Sequence, residues 1–342
     1  MFNQNVQRIG FACKYMHADQ TQKPKVLKEI QGQYSETSTT ITWLNRQLTE
    51  TAEEKLWHCT ITNARNAYRL IEYVGSLPEG QRMVRLGSNM MPAYTHPDWQ
   101  QFYQRTDVRD RAEREWSRVG DLARQLDVRV SMHPGQFVVL ASENPDIVNR
   151  SIEEFEYHAD IIRWMGFGQQ FQDFKCNVHI SGRQGPAGIK AILKRLSPEA
   201  RNTITIENDE NSWGLDASLE LADDLALVLD IHHHWVKTGE YIEPTDDRFK
   251  RVVGSWRGVR PAMHYSVSRE DLLSSHSTTE RPDFTALEEK GIKKGKLRAH
   301  SDMCWNTAVN EWALTFLEHA DIMVEAKMKN LASAQLYNQA FK

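Results

Sequence analysis

The sequence predicts an α/β protein of the (β/α)8 TIM-barrel class, with long loops at the carboxyl-terminal face of the barrel. Eight short apolar runs recur along the chain, and segments with helical periodicity separate them. This alternation is typical of a parallel sheet that is covered by helices. From the third run onward, each run ends on or beside a His, an Asp or a Glu. In a parallel barrel such endings converge on one face, where the active sites of these barrels lie.

The predicted strands are short runs rich in apolar residues. They lie at residues 8–15, 84–88, 128–136, 175–182, 203–209, 225–233, 262–268 and 321–327. Eight such units close into a barrel more readily than they remain an open sheet. The 342 residues of the chain also fall within the roughly 200 to 400 residues that one barrel occupies. No linker is evident, so we expect a single domain that spans residues 1–342.

The predicted helices are segments in which apolar residues recur at helical intervals. They lie at residues 49–74, 97–126, 147–165, 186–196, 217–226, 305–319 and 328–341. Two further segments, 16–48 and 269–299, are longer than ordinary connections. They follow the first and the seventh predicted strands. In a barrel these two segments would therefore form the sides of the substrate groove.

Composition excludes several classes of protein. No stretch of about 18 apolar residues is present, which argues against a membrane-spanning helix. The amino terminus lacks the basic start and the apolar core of a secretory signal. The four cysteines are scattered without a CxxC pair, which is typical of a reducing compartment and argues against a disulfide framework or a zinc ribbon. We therefore expect a cytoplasmic protein.

The formal net charge of −4 by itself discourages a nucleic-acid function, but bound cations would offset carboxylates at the mouth of the barrel. Two local basic runs matter more than the total charge. The first contains Arg248, Lys250, Arg251, Arg257 and Arg260, and the second contains Lys290, Lys293, Lys294, Lys296 and Arg298. Either run, taken alone, fits a solvated loop face equally well.

The polar endings of the runs form the most informative set in the sequence. Together with two loop histidines they supply nine candidate metal ligands. These are His96, His133, His179, Glu207, Asp230, His233, His264, His300 and Glu325. Imidazoles and carboxylates bind Zn2+, Mn2+ and Fe2+, and nine donors are too many for one ion with about four to six ligands. We therefore predict two or three divalent ions bridged by carboxylates, with His232 and His234 pointing away from them.

Ions about 3.5–4 Å apart indicate hydrolysis of a phosphodiester or a related ester by an activated water. One ion lowers the pKa of the water, and another stabilises the leaving oxygen. The sequence contains no competing motif for a nucleophilic Ser or Cys, and it lacks glycine-rich phosphate loops of the Walker or dinucleotide type. A metal-dependent hydrolase is therefore the favoured class.

A set of motifs in a fixed order spans nearly the whole chain. In chain order they are RIGFAC (8–13), RLGSNMMPAYTH (85–96), SMHPGQF (131–137), VHISG (178–182), IENDE (206–210), VLDIHHH (228–234), HYS (264–266), HSD (300–302) and DIMVEAK (321–327). With this set the chain resembles the UV damage endonucleases, metal-dependent TIM-barrel DNA repair enzymes that are related more distantly to endonuclease IV.

The resemblance implies an endodeoxyribonuclease that hydrolyses a phosphodiester of damaged double-stranded DNA. Such enzymes nick the backbone immediately 5′ of cyclobutane dimers, 6-4 photoproducts and abasic sites, and they leave a 3′ hydroxyl. We expect a monomer without a protein partner, associated with the nucleoid when it acts.

The resemblance also places the family's metal ligands on the same nine residues, including the two loop histidines that strand ends alone would not indicate. Glu207 would bridge ions, while Asp230, His264 and Glu325 hold one of them. These four residues are the catalytic candidates, and the remaining histidines would hold the other ions. Mn2+ is the expected metal, with Zn2+ or Mg2+ as alternatives.

Lesion recognition in this family uses a Gln–Tyr pair that enters the duplex opposite the extruded lesion. Here the pair is Gln136 and Phe137, and Phe keeps a stacking face that is worth roughly 1–3 kcal/mol per base. Two positions near the first strand, usually Tyr and Asn, are Phe11 and Tyr15 here, and we expect all four residues to probe the lesion. The position two residues before the histidine of the seventh strand, commonly Lys, is Ala262.

Four lysines are candidate phosphate contacts: Lys293, Lys294, Lys296 and Lys327. For Lys327 a plain salt bridge is an equal alternative.

Two other functions of the protein remain open. A sugar isomerase or epimerase of the xylose-isomerase type shares the barrel and a metal site, but nine ligands and basic loops argue against a compact sugar pocket. A non-catalytic barrel that binds damaged DNA is disfavoured by the complete ligand set. The residues that differ from the usual ones of the family, Phe11, Tyr15 and Ala262, keep this alternative open.

Overall fold

The computed structural model describes residues 2–135 and 137–341, and it contains the eight strands of a parallel barrel. The strands are β1 (Ile9–Ala12), β2 (Met83–Arg85), β3 (Arg129–Met132), β4 (Lys175–His179), β5 (Ile204–Glu207), β6 (Ala226–Val228), β7 (Ala262–Tyr265) and β8 (Asp321–Val324). Their order in the sheet is β6-β5-β4-β3-β2-β1-β8-β7, and all ladders are parallel. Each strand overlaps one predicted run, so the predicted TIM-barrel class is confirmed.

The barrel closes between β6 and β7 through a contact that is shorter than a ladder. Asp230 and His264 form an isolated parallel bridge there, and the His264 N–H donates to the Leu229 carbonyl at 3.0 Å. Both bridged residues are predicted metal ligands. The seam of the barrel therefore lies at the candidate site and holds two of its residues side by side.

The side chains along each strand alternate in direction, because neighbouring side chains point to opposite faces of a sheet. The apolar interior of the protein is therefore divided into two parts. Residues that face the lumen form one cluster, which includes Ala12, Met83, Ala262 and Met323. A larger cluster fills the space between the strands and the helices, and Phe11 belongs to it. Phe11 therefore points away from the lumen, although it lies next to Ala12 in β1.

The helices cover the outside of the barrel. They are α1 (Pro24–Gly32), α2 (Ile41–Leu44), α3 (Thr49–Gly75), α4 (Gln100–Gln104), α5 (Thr106–Gln125), α6 (Pro145–Trp164), α7 (Gly185–Ile192), α8 (Pro198–Thr203), α9 (Leu215–Leu219), α10 (Ile231–Thr238), α11 (Asp247–Ser255), α12 (Phe284–Glu289), α13 (Lys294–Leu297), α14 (Thr307–Leu314) and α15 (Asn330–Ala340). Short 3-10 helices lie at Glu79–Gln81, Leu193–Arg195, Glu270–Leu272 and Thr315–Glu318. Within the two described ranges, none of the helices is long and apolar enough to cross a membrane.

Three predicted elements are corrected by the structure. The helix predicted at 97–126 is divided into α4 and α5, because Arg105 between them is extended (φ −64°, ψ 135°). The helix predicted at 217–226 ends at Leu219, and Ala226 already belongs to β6. The strand predicted at 225–233 ends at Val228, because Asp230 then caps α10 with its side chain.

Buried ion pairs close the amino-terminal end of the lumen. Asp321 accepts hydrogen bonds from Arg129 Nη1 and Arg260 Nε, each at 2.6 Å. Arg260 belongs to the first basic run, and Arg248 and Lys250 of that run pair with acidic neighbours. These three members are therefore neutralised, and Arg260 lies away from the strand ends that carry the predicted ligands.

The two long segments carry short helices of their own, as the structure shows for 16–48 (α1 and α2) and for 269–299 (α12 and α13). We call the segment 269–299 the insert. Leu273, Phe284 and Leu297 of the insert form a buried cluster with Trp235 of α10. The insert is thus anchored on the helix that starts after Asp230, beside the candidate site.

Candidate metal centre

Seven of the nine predicted ligands converge where strands β3 to β8 end. Their imidazole nitrogens and carboxylate oxygens form three groups, and within each group the ligand atoms lie within 4.8 Å of one another. The groups are His133, His179 and Glu207; Glu207, Asp230 and His233; and Asp230, His264 and Glu325. Because Glu207 and Asp230 each belong to two groups, the arrangement can hold neighbouring cations that share a carboxylate.

Glu207, the last residue of β5, lies buried in the middle of the cluster. Its Oε2 lies 3.5 Å from His133 Nε2 and 3.1 Å from His264 Nδ1. Its Oε1 lies 3.4 Å from His233 Nδ1. Burial raises the pKa of this carboxyl, but the surrounding imidazoles, His264 first and His179 next, hold it well below its ordinary value. Glu207 is therefore an anion, the form in which a carboxylate binds a metal.

Asp230 begins the helix that carries His233. Its Oδ1 accepts the backbone N–H of His233 at 2.7 Å, and its Oδ2 lies 3.8 Å from His233 Nδ1. Burial raises the pKa of Asp230 to about 7. Burial also lowers the pKa of His233, but the Asp230 and Glu207 carboxylates outweigh it and raise that pKa to about 10. The neighbouring carboxylates therefore favour a positive charge on His233. A bound metal cation would supply a positive charge at the same place.

His264 and Glu325 complete the third group. His264 Nδ1 lies 3.2 Å from Glu325 Oε1. Burial lowers the pKa of His264 to about 4, against the opposing charge of Glu207. Arg85 of β2 forms an ion pair with Glu325. Although burial raises the pKa of Glu325, Arg85 and His264 hold it well below its ordinary value.

Two buried polar residues of β4 support this cluster, and the sequence reasoning missed both. Lys175 Nζ lies 2.8 Å from His264 Nε2, and Asn177 Nδ2 donates to Glu207. Burial lowers the pKa of Lys175 to about 7. Both residues alternate with apolar residues and share one face of β4 with His179. A polar residue at every second position of an otherwise apolar strand was the signal that could have found them.

Asn208, which follows β5, fixes the position of Asp230, which follows the neighbouring strand β6. The Asp230 N–H donates to Asn208 Oδ1 at 2.8 Å, and Asn208 Nδ2 donates to the Asp230 carbonyl at 3.0 Å. The Asn208 carbonyl also lies 3.1 Å from His233 Nδ1. This one residue therefore holds the backbone of the shared carboxylate and one nitrogen of a predicted ligand.

Asp209 and Glu210 follow in the same loop and contact two further rings. Asp209 Oδ2 lies 3.6 Å from His179 Nδ1, and Glu210 Oε2 lies 3.7 Å from His233 Nε2. Carboxylates beside ligand histidines orient the imidazole and tune its basicity. From the sequence, the motif IENDE predicts a role only for its first acidic residue, Glu207, because the polar loop residues that follow show no periodicity.

Unpaired polar atoms show that these residues fit a cation. Among the described residues, His179 Nδ1, Asp230 Oδ2 and His264 Nδ1 are buried without a hydrogen-bond partner. Such an atom costs about 1–3 kcal/mol when it is left unsatisfied, and at least one of the three lies in every group of ligands. Imidazoles and carboxylates without thiolates suit Mn2+, Zn2+ or Fe2+. The donor set therefore fits divalent metal ions.

The two loop histidines lie outside the three groups. His96 is partly exposed after β2, and its Nδ1 accepts a backbone N–H at 3.2 Å. His300 pairs with Ser268 in an isolated bridge, and its ring centroid lies 5.8 Å from that of His232. Burial lowers the pKa of His300 against the opposing charge of Glu325. Metal binding by these two histidines stays a prediction.

His232 and His234 point away from the ligand cluster, as predicted. His232 is held between Ser266 Oγ, 2.8 Å from its Nδ1, and Ser268 Oγ, 3.1 Å from its Nε2. His234 Nε2 lies 3.1 Å from Glu240 Oε2. Both therefore serve packing and local hydrogen bonding.

Phe137, in the loop after β3, is 85% exposed, the largest fraction among the exposed large apolar residues of the described ranges. Its predicted partner Gln136 lies outside the described residues. An aromatic ring held in water at the mouth of the barrel is available for stacking on a base, so the structure leaves the predicted role of Phe137 open to test.

The predicted role of Phe11 is corrected by the structure. Phe11 is 1% exposed and packs among residues of the helical layer. It cannot probe a nucleotide, because alternation along β1 directs its side chain away from the lumen. Tyr15 is half-buried, and its ring centroid lies 4.6 Å from that of Tyr34 and 4.8 Å from that of Tyr73. It lies in an aromatic cluster beside α3.

The candidate phosphate contacts differ in their surroundings. Lys293, Lys294 and Lys296 are exposed on the insert, and Lys294 Nζ donates to the Lys237 carbonyl at 3.1 Å. Lys327 Nζ pairs with Asp302 at 2.9 Å, the plain salt bridge that the sequence left as an alternative. The insert therefore presents the more available positive charge.

Comparison with known proteins finds one matching family, related sequences and a similar fold. The model of the UV-endonuclease UvdE family matches residues 7–341. A UV DNA damage endonuclease of Bacillus velezensis is 25% identical over 304 residues, which cover 84% of this chain and 83% of the relative. One of Halalkalibacterium halodurans is 26% identical over 298 residues, with coverage of 84% and 83%. The crystal structure of SacUVDE has the same fold, with a TM-score of 0.69 at 21% identity, over 98% of this chain and 96% of that one.

Proposed function

The chain belongs to the UV-endonuclease UvdE family, and from that premise we propose that it nicks damaged double-stranded DNA immediately 5′ of the lesion. The proposed lesions are cyclobutane dimers and 6-4 photoproducts, with abasic sites as a further substrate. Hydrolysis would leave a 3′ hydroxyl. Membership of the family supports a DNA repair endonuclease, and the arrangement of ligands supports the metal-dependent mechanism.

The single observation that carries this proposal is that Glu207 and Asp230 are each shared between adjacent groups of ligands. A single metal ion would need only one of the three groups of ligands. Shared carboxylates bring neighbouring cations close together, as in hydrolases that cleave phosphodiesters with two or more ions. We propose two or three ions of Mn2+, with Zn2+ or Mg2+ as alternatives.

When bound, such ions supply an activated water and stabilise negative charge on the phosphate and on the leaving oxygen. The residues of the chain prepare the site for this chemistry. Glu207, Asp230 and Glu325 gather three carboxyl groups at one place, and the His264 imidazole directs Nδ1 toward two of them, Glu207 and Glu325. Arg85 pairs with the same Glu325 oxygen that His264 Nδ1 approaches, so the ligand set is organised before DNA arrives.

Conversion of irradiated supercoiled plasmid to the open circle tests the proposal. We expect nicking by the protein as purified, none after dialysis against a chelator, and recovery when Mn2+ is returned. A duplex with one cyclobutane dimer, resolved on a sequencing gel, should show the cut 5′ of the dimer. Binding of irradiated DNA without nicking, at full metal occupancy, would instead favour the non-catalytic barrel.

Replacing Lys293, Lys294 and Lys296 together with Ala should weaken binding to damaged and undamaged duplexes alike, because phosphate contacts carry no base information. The slope of log K against log salt should fall by up to about 3 units if each lysine contacts one phosphate. Fluorescence anisotropy over a salt series measures this slope.

A matched triple substitution of Lys190, Lys194 and Lys250, which are exposed on the outer helices, controls for the change in net charge. It should leave the salt slope near that of the wild type. An equal slope in both triple variants would show that the insert lysines form only a solvated face.

A further inference from the structure

The end of the insert reaches the loop that follows β5. Arg298 Nη1 lies 3.2 Å from Glu210 Oε1, and the two side chains are 52% and 9% exposed. Asn211 Nδ2 also donates to Glu210 Oε1 at 2.6 Å. The guanidinium is therefore open to solvent on one side, while its carboxylate partner is almost covered.

The same carboxylate faces the metal centre with its other oxygen. Glu210 Oε2 lies 3.7 Å from His233 Nε2, and His233 Nδ1 lies 3.4 Å from Glu207 Oε1. A short path of charged groups thus joins the insert to the residue at the middle of the ligand cluster. Arg298 is the member of the second basic run that is paired with an acid beside the centre.

Replacing Glu210 with a phosphate group as the partner of Arg298 would have little effect on the stability of the protein. Because the Arg298 side chain is half-exposed, solvent screens its ion pair with Glu210, whereas a guanidinium forms strong, often bidentate hydrogen bonds with a phosphate. Lys293, Lys294 and Lys296 are exposed in the same part of the insert, so their charges favour a polyanion on this side. The Glu210 side chain, by contrast, is only 9% exposed, and Asn211 also holds its Oε1 atom.

We propose that Arg298 is a phosphate-binding residue of the DNA groove and that Glu210 is its resting counter-ion. The backbone of the bound strand then takes the place of the Glu210 carboxylate on the guanidinium. This inference rests on the proposed function, and it adds a contact beside the metal centre, distinct from the three lysines. Because Glu210 competes with DNA for one guanidinium, the two residues should affect DNA affinity in opposite directions.

A double-mutant cycle with Arg298→Ala, Glu210→Gln and the double variant tests the competition. The probe is a short fluorescein-labelled duplex without a lesion, titrated by anisotropy over a salt series. Arg298→Ala should weaken binding about threefold to tenfold and lower the salt slope by about 0.9. Glu210→Gln should tighten binding severalfold in the wild-type background and have little effect in the Arg298→Ala background.

Two results would overturn the proposal. An unchanged salt slope in Arg298→Ala would show that the guanidinium contacts no phosphate. Equal tightening by Glu210→Gln in both backgrounds would show only that a negative charge was removed near DNA. Lys250→Ala, an exposed lysine paired with Asp247, serves as the control and should leave the slope near that of the wild type, and circular dichroism verifies that every variant is folded.

The wild-type nicking assay separates this inference from the proposed function. If the wild type nicks irradiated plasmid but the cycle shows no coupling, the Arg298 site is wrong and the endonuclease proposal stands. If the cycle shows the coupling but the wild type does not nick, the phosphate contact stands and the catalytic proposal fails.

Discussion

Glu207→Gln is expected to abolish incision of irradiated DNA while the barrel stays folded. Three imidazole nitrogens lie within 3.5 Å of the Glu207 oxygens, and the residue belongs to two of the three ligand groups. Gln keeps the shape of the side chain but loses the charge that neighbouring cations would share. The rate should fall on the order of 10²–10³-fold or more, the scale on which a principal electrostatic group acts.

Two measurements check this expectation. Plasma mass spectrometry should find at least two ions per chain in the wild type and fewer in Glu207→Gln, and plasmid nicking should fall in parallel. Glu113→Gln, an exposed residue of α5, is the control and should behave as the wild type. Full activity in Glu207→Gln, or fewer than two ions per wild-type chain, would contradict a polynuclear centre.

The part of the site that could be predicted is the part that lies at strand ends. His179 and Glu207 are the last residues of β4 and β5, and His264 lies within β7. Apolar runs locate such residues well, and parallel strands with a common direction then bring the ends together. The convergence of seven candidates therefore followed from the sequence, whereas their binding of metal stays a prediction.

The orientation of individual strand residues was harder to predict. Phe11 was expected at the lesion, but alternation in β1 turns it toward the helices and Ala12 toward the lumen. A shift of one residue in the assumed register exchanges the two faces of a strand. Lys175 and Asn177 are missed for a related reason, because polar residues near the start of an apolar run indicate the end of a strand rather than a face that points into the lumen.

The loops could not be placed from the sequence, because they have no period that fixes which way a side chain points. His96 and His300 came from the resemblance, and the structure leaves both outside the ligand groups. The contact between Arg298 and Glu210 joins residues 88 positions apart, so only the packing of the insert on α10 brings them together.

Phe137→Ala is expected to reduce incision of a duplex with a cyclobutane dimer strongly, with metal content unchanged. A damaged nucleotide costs less to extrude than a sound one, and a planar side chain in the gap recovers part of the lost stacking. That stacking is worth roughly 1–3 kcal/mol per base, so incision should fall by roughly tenfold to a hundredfold. Because Phe137 is 85% exposed, truncation should change the melting temperature little.

The same substitution at Phe341, which is 49% exposed at the carboxyl-terminal end of α15, is the matched control and should leave incision near the wild-type level. Phe137→Tyr keeps the stacking face and should incise dimers at least as well, with any change confined to the choice of lesion. Binding to undamaged duplex should stay the same in all three variants, because no nucleotide is extruded there. If Phe137→Ala incises normally but unfolds at a clearly lower temperature, the ring packs on the protein and has no part in probing DNA.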